Sequence, residues 1–281
     1  MKLVTFLKDG NECIGVVVDG AIIDLNSADP QLPETILGLL EQNSIENVAR
    51  AVESGSGKRL DMDSVILISP IPRPSKIICV GLNYLDHATE QNMPLPEHPL
   101  LFSKATSSII GPFADVILPE ESKEVDYEVE LAVVIGRQAK DVAKKDAYNY
   151  IAGYTVANDV SARDIQFRQQ QWHQGKSYDT FCPMGPWLVT KDEIPNPNSL
   201  DVRLTLNGSI LQDSNTDNLI FDISTLIERI SKIMTLFPGD VISTGTPAGV
   251  GVFRDPKILL KAGDYMETYV AGIGTLKNHI R

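Results

Sequence analysis

The sequence predicts an α+β fold that is mostly β. Two observations carry this expectation. Short apolar runs with strand-like alternation recur along the chain, punctuated by Asp-Gly and Asn-Gly turns. Clear helical periods are few, and they do not alternate regularly with the strands as a doubly wound sheet requires.

The elements follow in order. Residues 1–26 read as small hairpins: Leu3–Leu7, Ile14–Val18 and Ala21–Leu25, joined by turns at Asp9-Gly10 and Asp19-Gly20. Residues 34–54 carry a helical pattern through Ile36, Leu39, Leu40, Ile45, Val48 and Ala51. The stiff stretch Ser69-Pro70-Ile71-Pro72-Arg73-Pro74 suggests a boundary between a small unit, 1–70, and a larger catalytic one, 71–281. A buried strand at 76–81 then leads into a short helix at 83–90, with Asn83 as N-cap. The prolines of 92–100 read as a loop. Strands are expected at 116–118, 127–135, 151–158, 186–190 and 201–206, with Asn207-Gly208 turning into 209–211. The clearest helix is 222–237, capped by Asp222 and stopped by Pro238-Gly239. A strand at 241–244 enters a glycine-rich turn.

Bulk composition excludes several classes. The 281 residues carry a net charge of −12 with no basic block, which argues against nucleic acid or an anionic membrane as partner. Cys13, Cys79 and Cys182 are scattered and odd in number, so neither a disulfide framework nor a zinc site is expected. The N-terminus lacks a signal-peptide core, and no apolar run reaches the ~18 residues of a membrane span. A cytoplasmic protein is expected.

The run Asp126-Tyr127-Glu128-Val129-Glu130-Leu131-Ala132-Val133 holds the most specific chemistry. On a strand, Glu128 and Glu130 share one face while Val129, Leu131 and Val133 take the other. Two adjacent carboxylates on a half-buried strand repel, and a hard divalent cation would remove the conflict. An edge strand with both glutamates in water is the alternative. Asp159 ends the next apolar strand and would complete a three-carboxylate set; alone it is an ordinary turn residue or cap. His87 and Glu90, three apart on a helix, face the same way, as a general base and its orienting carboxylate do. A surface pair is the alternative. Arg163 and Gln166 share a helical face, and Lys176 follows a glycine; taken singly they read as surface residues. The turn Thr244–Gly251 lacks the signatures of a phosphate loop or a dinucleotide fingerprint, although its N–H groups could hold a carboxylate, with Thr246 adding a hydroxyl. No G-x-S-x-G elbow is present.

Five blocks in series give these fragments a common meaning. GLNYLDHATE (81–90), DYEVELAVVIG (126–136), GYTVANDVSARDIQ (153–166), GKSYDTFCPMGP (175–186) and STGTPAGVG (243–251) resemble, in order, the fumarylacetoacetate hydrolase family. The resemblance implies a mixed β-sandwich roll, a homodimer, and a metal-dependent enzyme acting on a 2-oxo or 2,4-dioxo carboxylate. It assigns Glu128, Glu130 and Asp159 to Mg²⁺ or Mn²⁺. His87 and Glu90 become a water-activating dyad on a mobile lid. Lys176 stabilises an enolate, Arg163 and Gln166 line the substrate site, and Thr246 binds the substrate carboxylate.

The reaction first expected is hydrolysis of the C3–C4 bond of an acylpyruvate or a 2,4-dioxo-3-deoxy sugar acid, because the His87–Glu90 pair is present. Oxaloacetate decarboxylation is the runner-up and isomerisation of a 2-hydroxy-dienedioate the third. Tautomerisation needs only reprotonation of the same enolate. A non-catalytic sensor is the reading from another class. The polar run Arg168-Gln169-Gln170-Gln171 hints at a polar distal pocket.

Overall fold

The computed structural model describes residues 1–168 and 170–281. Its backbone is one long mixed sheet and a smaller antiparallel one. The long sheet runs in the order Arg59–Asp61, Ala21–Asp24, Asn11–Val18, Lys2–Lys8, Cys182–Thr190, Ile151–Asn158, Val129–Ile135, Val241–Ser243, Ile77–Gly81, Leu100–Lys104. All these pairings are antiparallel except that of Val241–Ser243 with Ile77–Gly81. The smaller sheet runs Ser209–Asn215, Asp201–Leu206, Tyr265–Val270, Gly274–His279. The mostly β, α+β expectation holds.

Residues 1–70 do not form a sheet of their own. Lys2 and Leu3 pair with Val189 and Leu188 of the strand Cys182–Thr190. A division at residue 70 is therefore a proposal about folding units and not a break in the sheet.

The strand Val129–Ile135 sits between two others, far from an edge, and is buried on both faces. Its alternation sorts side chains into two layers. Val129, Leu131, Val133 and Ile135 join the larger core, with Ile223, Leu226, Ile227 and Ile230 of the helix Ile223–Ile233 and with Leu204, Met266 and Leu276 of the smaller sheet. Ala132 and Val134 face the second core, with Leu39, Leu40 and Val48 of the N-terminal helices. Glu128 and Glu130 belong to this second face, so the edge-strand alternative fails.

Several elements depart from their local signals. The pattern over 34–54 splits into helices Ile36–Glu41 and Ile45–Glu53. Asn43 turns left-handed between them (φ 50°), and Ser44 restarts the chain. Asn83 does not cap the helix Leu85–Glu90; its amide bridges Thr244 O, Phe221 O and Phe221 N instead. The expected strand at 116–118 is a single bridge, Val116 to Ile280. The helix 222–237 ends at Ile233, because Leu236 exchanges two backbone hydrogen bonds with Ala139. Strand Leu100–Lys104 and the hairpin of Tyr265–Val270 and Gly274–His279 were not expected. Among the described residues no helix is long and apolar enough to cross a membrane, and all three cysteines are free.

The helix Ile223–Ile233 does start where expected: Asp222 accepts from Thr225 N at 2.7 Å and from Ser224 Oγ at 2.9 Å. Asp222→Ala should lower the unfolding free energy by about 1 kcal/mol, read from the urea midpoint, whereas Asp222→Asn should cost far less.

Candidate active site and metal centre

The strand order explains the acidic cluster. Glu130 lies on the strand Val129–Ile135 and Glu128 immediately precedes it, while Asp159 follows the neighbouring strand, whose Asn158 pairs with Val129. Asp159 N donates to Glu128 O, closing the pair. One carboxylate oxygen from each of Glu128, Glu130 and Asp159 lies within 4.8 Å of the others, and all three residues are buried. Such a cluster cannot hold three bare negative charges without compensation.

Compensation comes from three buried cations. Lys176 Nζ donates to Glu128 Oε2 at 2.9 Å and to Asp159 Oδ2 at 2.8 Å. Arg163 Nη1 meets Glu128 Oε1 at 2.6 Å, and its Nε meets Asp126 at 2.9 Å. Lys104 Nζ meets Asp159 Oδ1 at 2.5 Å and donates to Val160 O. Burial alone would raise the Glu128 carboxyl, but Lys176 and Arg163 outweigh it and lower it to about 2. Glu130 has no such partner. Burial, then the charges of Asp159 and Glu128, push its carboxyl well above the ordinary range, although its Oε2 accepts from Ser243 Oγ and Gly245 N. Among the described residues no donor reaches Glu130 Oε1. Lys176 is pulled both ways: burial lowers it, but Asp159 and Glu128 win and raise it.

The donor set fits a hard divalent cation. With Glu130 ionised, as a bound cation would hold it, Asp126, Glu128, Glu130 and Asp159 outnumber Lys104, Arg163 and Lys176 by one charge. A divalent cation would reverse that excess and draw in an anionic substrate. Three all-oxygen protein ligands also leave coordination positions open.

The rest of the expected site gathers on the same cavity, a space of about 140 Å³ lined by His87, Glu128, Glu130, Arg163, Gln166, Lys176 and Thr246 among others. His87 Nδ1 lies 3.0 Å from Glu90 Oε2. With Nδ1 protonated toward that carboxylate, Nε2 carries the basic lone pair, which accepts from Gln91 Nε2 at 2.8 Å. Glu90 is aimed in turn by Gly249 N on its Oε1 at 2.9 Å. Gly249 (φ 102°) and Gly245 (φ 101°) hold conformations that favour glycine, and their N–H groups reach Glu90 and Glu130. Asp86 accepts from Ala248 N and Ser214 Oγ, so the helix Leu85–Glu90 is pinned to the glycine-rich turn in this conformation.

Three donors remain available to an anion. Among the described residues Arg163 Nη2 is buried without a partner. Gln166 Oε1 accepts from Arg163 Nη1, leaving its amide hydrogens to donate. Thr246 Oγ1 accepts from Gln212 Nε2, which leaves its own O–H to donate.

Sequence reasoning missed the supports. Asp126 accepts from Gly251 N, Val252 N and Arg163 Nε, tying the turn to the arginine. Asn158 accepts from Glu128 N and donates to Thr268. Gln212 accepts from Val129 N and donates to Thr246 and Pro247. Their partners lie 30 to 126 residues away in sequence, so no local pattern announces them. The hint of a polar distal pocket is corrected: Arg168, Gln170 and Gln171 are exposed and do not line the cavity. Gln169 lies outside the described residues. The outer lining is apolar, with Met93, Leu100, Phe102, Phe167, Trp172 and Phe253.

Comparison with known proteins agrees with this geometry. The model of the fumarylacetoacetate (FAA) hydrolase C-terminal domain matches residues 76–281. The chain belongs to the fumarylacetoacetate hydrolase family. It is 46% identical over 286 residues to the mitochondrial oxaloacetate tautomerase Fahd2a of Rattus norvegicus, covering 100% of this chain and 91% of the relative. It superposes on the fumarylacetoacetate hydrolase of Exiguobacterium antarcticum with a TM-score of 0.90 at 37% identity, covering 100% and 99% of the two chains. It also matches maleylpyruvate hydrolase from Sphingobium sp. SYK-6, solved with manganese (II) and pyruvate, at 33% identity and TM-score 0.83, covering 100% and 98%. That neighbour was solved with a divalent ion, and the buried triad here suits a divalent cation.

Glu130 supplies a test that needs no turnover. Its folded carboxyl is raised, so its ionisation opposes folding as pH rises above the ordinary value of 4.5. Glu130→Gln should therefore raise the Tm of the metal-free protein at pH 7, while abolishing the further rise on adding Mg²⁺ or Mn²⁺. A variant that still gains Tm from the ions would remove Glu130 from the ligand set.

Proposed function

We propose that the chain is a divalent-metal-dependent tautomerase of 2-oxo carboxylic acids, with oxaloacetate as a substrate. The supporting observation is the placement of His87, the Lys176 ammonium, Glu128 and Glu130 on one cavity, with Asp159 held against Lys176 behind them. The full-length likeness to a protein named oxaloacetate tautomerase supports the choice of reaction.

Each residue's part follows from its charge and free hydrogen-bonding capacity. Arg163 Nη2, the Gln166 amide and the Thr246 hydroxyl donate to the substrate carboxylate. A divalent ion held by Glu128, Glu130 and Asp159 would supply Lewis-acid polarisation of the 2-oxo group. Lys176, already charged and buried, stabilises negative charge developing on that oxygen. His87 Nε2 takes the proton that leaves C3 and returns one to oxygen, or the reverse, once Gln91 has moved off it. Glu90 steadies the imidazolium formed in between. The substrate loses and regains one proton, and no bond between carbons breaks.

Hydrolysis of a C3–C4 bond, the first expectation from sequence, is retained as a second reading. The same His87–Glu90 pair favours it, because a base that can take a carbon proton can also activate water. Oxaloacetate decarboxylation and isomerisation of a 2-hydroxy-dienedioate use the same enolate and have no separate structural support. Mg²⁺ and Mn²⁺ both fit the oxygen set. A homodimer remains part of the proposal. So does a cytoplasmic location, although the rat relative is named as mitochondrial.

The decay of enol absorbance should settle the reaction. Freshly dissolved oxaloacetate enol with Mg²⁺-loaded protein should convert to the ketone faster than without protein, and EDTA should stop the acceleration. His87→Gln should lower kcat by about 10²- to 10⁴-fold, the range typical of a lost general base. No acceleration, with cleavage of acetylpyruvate to pyruvate and acetate, would replace tautomerisation by the second reading.

A further inference from the structure

The cavity has two chemically distinct depths. Its polar groups, Glu128, Glu130, Arg163, Gln166, Lys176 and Thr246, are all buried. Its mouth is different. Met93, Leu100, Phe167 and Phe253 line the same cavity yet stand 51%, 46%, 54% and 42% exposed. Between the two depths lie Phe102 and Trp172, their rings packed edge to face at 5.3 Å. Trp172 is seated on Gly81, where any Cβ would come within 2.6 Å of its ring. Phe102 also carries the Lys176 ammonium 5.1 Å from its centroid, and Phe253 lies 6.1 Å from His87. The apolar surface thus begins where the catalytic groups end.

Among the described residues every charged side chain that lines this cavity sits at the buried end. Among the described lining residues Gln91 is the one polar side chain that is not buried. Four large half-exposed apolar side chains around one opening are unusual without something to cover them. Oxaloacetate places both its carboxylates within four carbons, so the buried cations can serve them and the mouth stays empty.

We propose that this site takes 2-oxo acids with an uncharged apolar substituent beyond C3, a branched alkyl or aryl group, which packs against Trp172, Phe102 and Phe253. The inference rests on the reading that the buried end holds a 2-oxo carboxylate. It extends that reading from the head of the substrate to its tail. The apolar tail removes the mouth's side chains from water, and that burial strengthens binding in proportion to the area covered.

Binding of two unreactive analogues tests this apart from turnover. Oxamate carries the head alone, and N-phenyloxamate adds an aryl tail. By calorimetry on the Mg²⁺-loaded protein, N-phenyloxamate should bind at least about tenfold more tightly, the scale expected for covering one ring. Phe253→Ser should erase most of that advantage while leaving oxamate affinity unchanged, and Met93→Ser should reduce it. Equal affinities in the wild-type protein would overturn the proposal, as when a second copy of the chain covers the mouth. An advantage that survives both substitutions, or failure of both analogues to bind where oxaloacetate is turned over, would also overturn it. A phenyl advantage in a protein that converts no enol keeps this inference and removes the proposed reaction instead.

Discussion

Three carboxylates share one buried space, and their mutual repulsion organises the catalytic half of this molecule. Glu128, Glu130 and Asp159 cannot escape to water, because Glu128 and Glu130 sit at the start of a strand covered on both faces and Asp159 closes the adjoining strand. The fold answers with Lys104, Arg163 and Lys176, each drawn from a different segment and each buried. Among the described residues Glu130 is left without an ion pair, and burial with the charges of Asp159 and Glu128 outweighs the pull of Lys176. Removing one member of a buried ionic set is far more costly than building none. The residues that support the set are therefore as constrained as the set itself.

The same arrangement explains why one site serves several reactions. Positive charge concentrated beside a 2-oxo group favours an enolate whatever its source. A proton, carbon dioxide or an acyl group could each be the fragment that leaves. The choice then falls to His87, whose lone pair is aimed by Glu90 and covered by Gln91, and to the shape of the outer cavity.

What the sequence made legible was local. Alternation along 126–136 put Glu128 and Glu130 on one face, and the structure keeps them there, continued by Ala132 and Val134 in the second core. The cap at Asp222 and the helical spacing of His87 and Glu90 are likewise short-range facts, and both are realised. The long-range pairings were hidden. Lys104 reaches Asp159 across 55 residues, and Gln212 reaches Val129 across 83. A lysine at the end of an amphipathic strand and a glutamine on a hairpin carry no local mark of such roles. Tertiary pairing also overrode propensity where Leu236 left its helix to bridge Ala139. The order of five motif blocks, and not any one of them, made the family visible.

Anomalous diffraction from a manganese-soaked crystal tests the metal centre most directly. The account predicts one strong peak in the cavity, bounded by oxygens of Glu128, Glu130 and Asp159, with Lys176 displaced from at least one of the carboxylates it now bridges. A crystal that shows no peak there at saturating manganese, or that binds the ion at other residues, would contradict it.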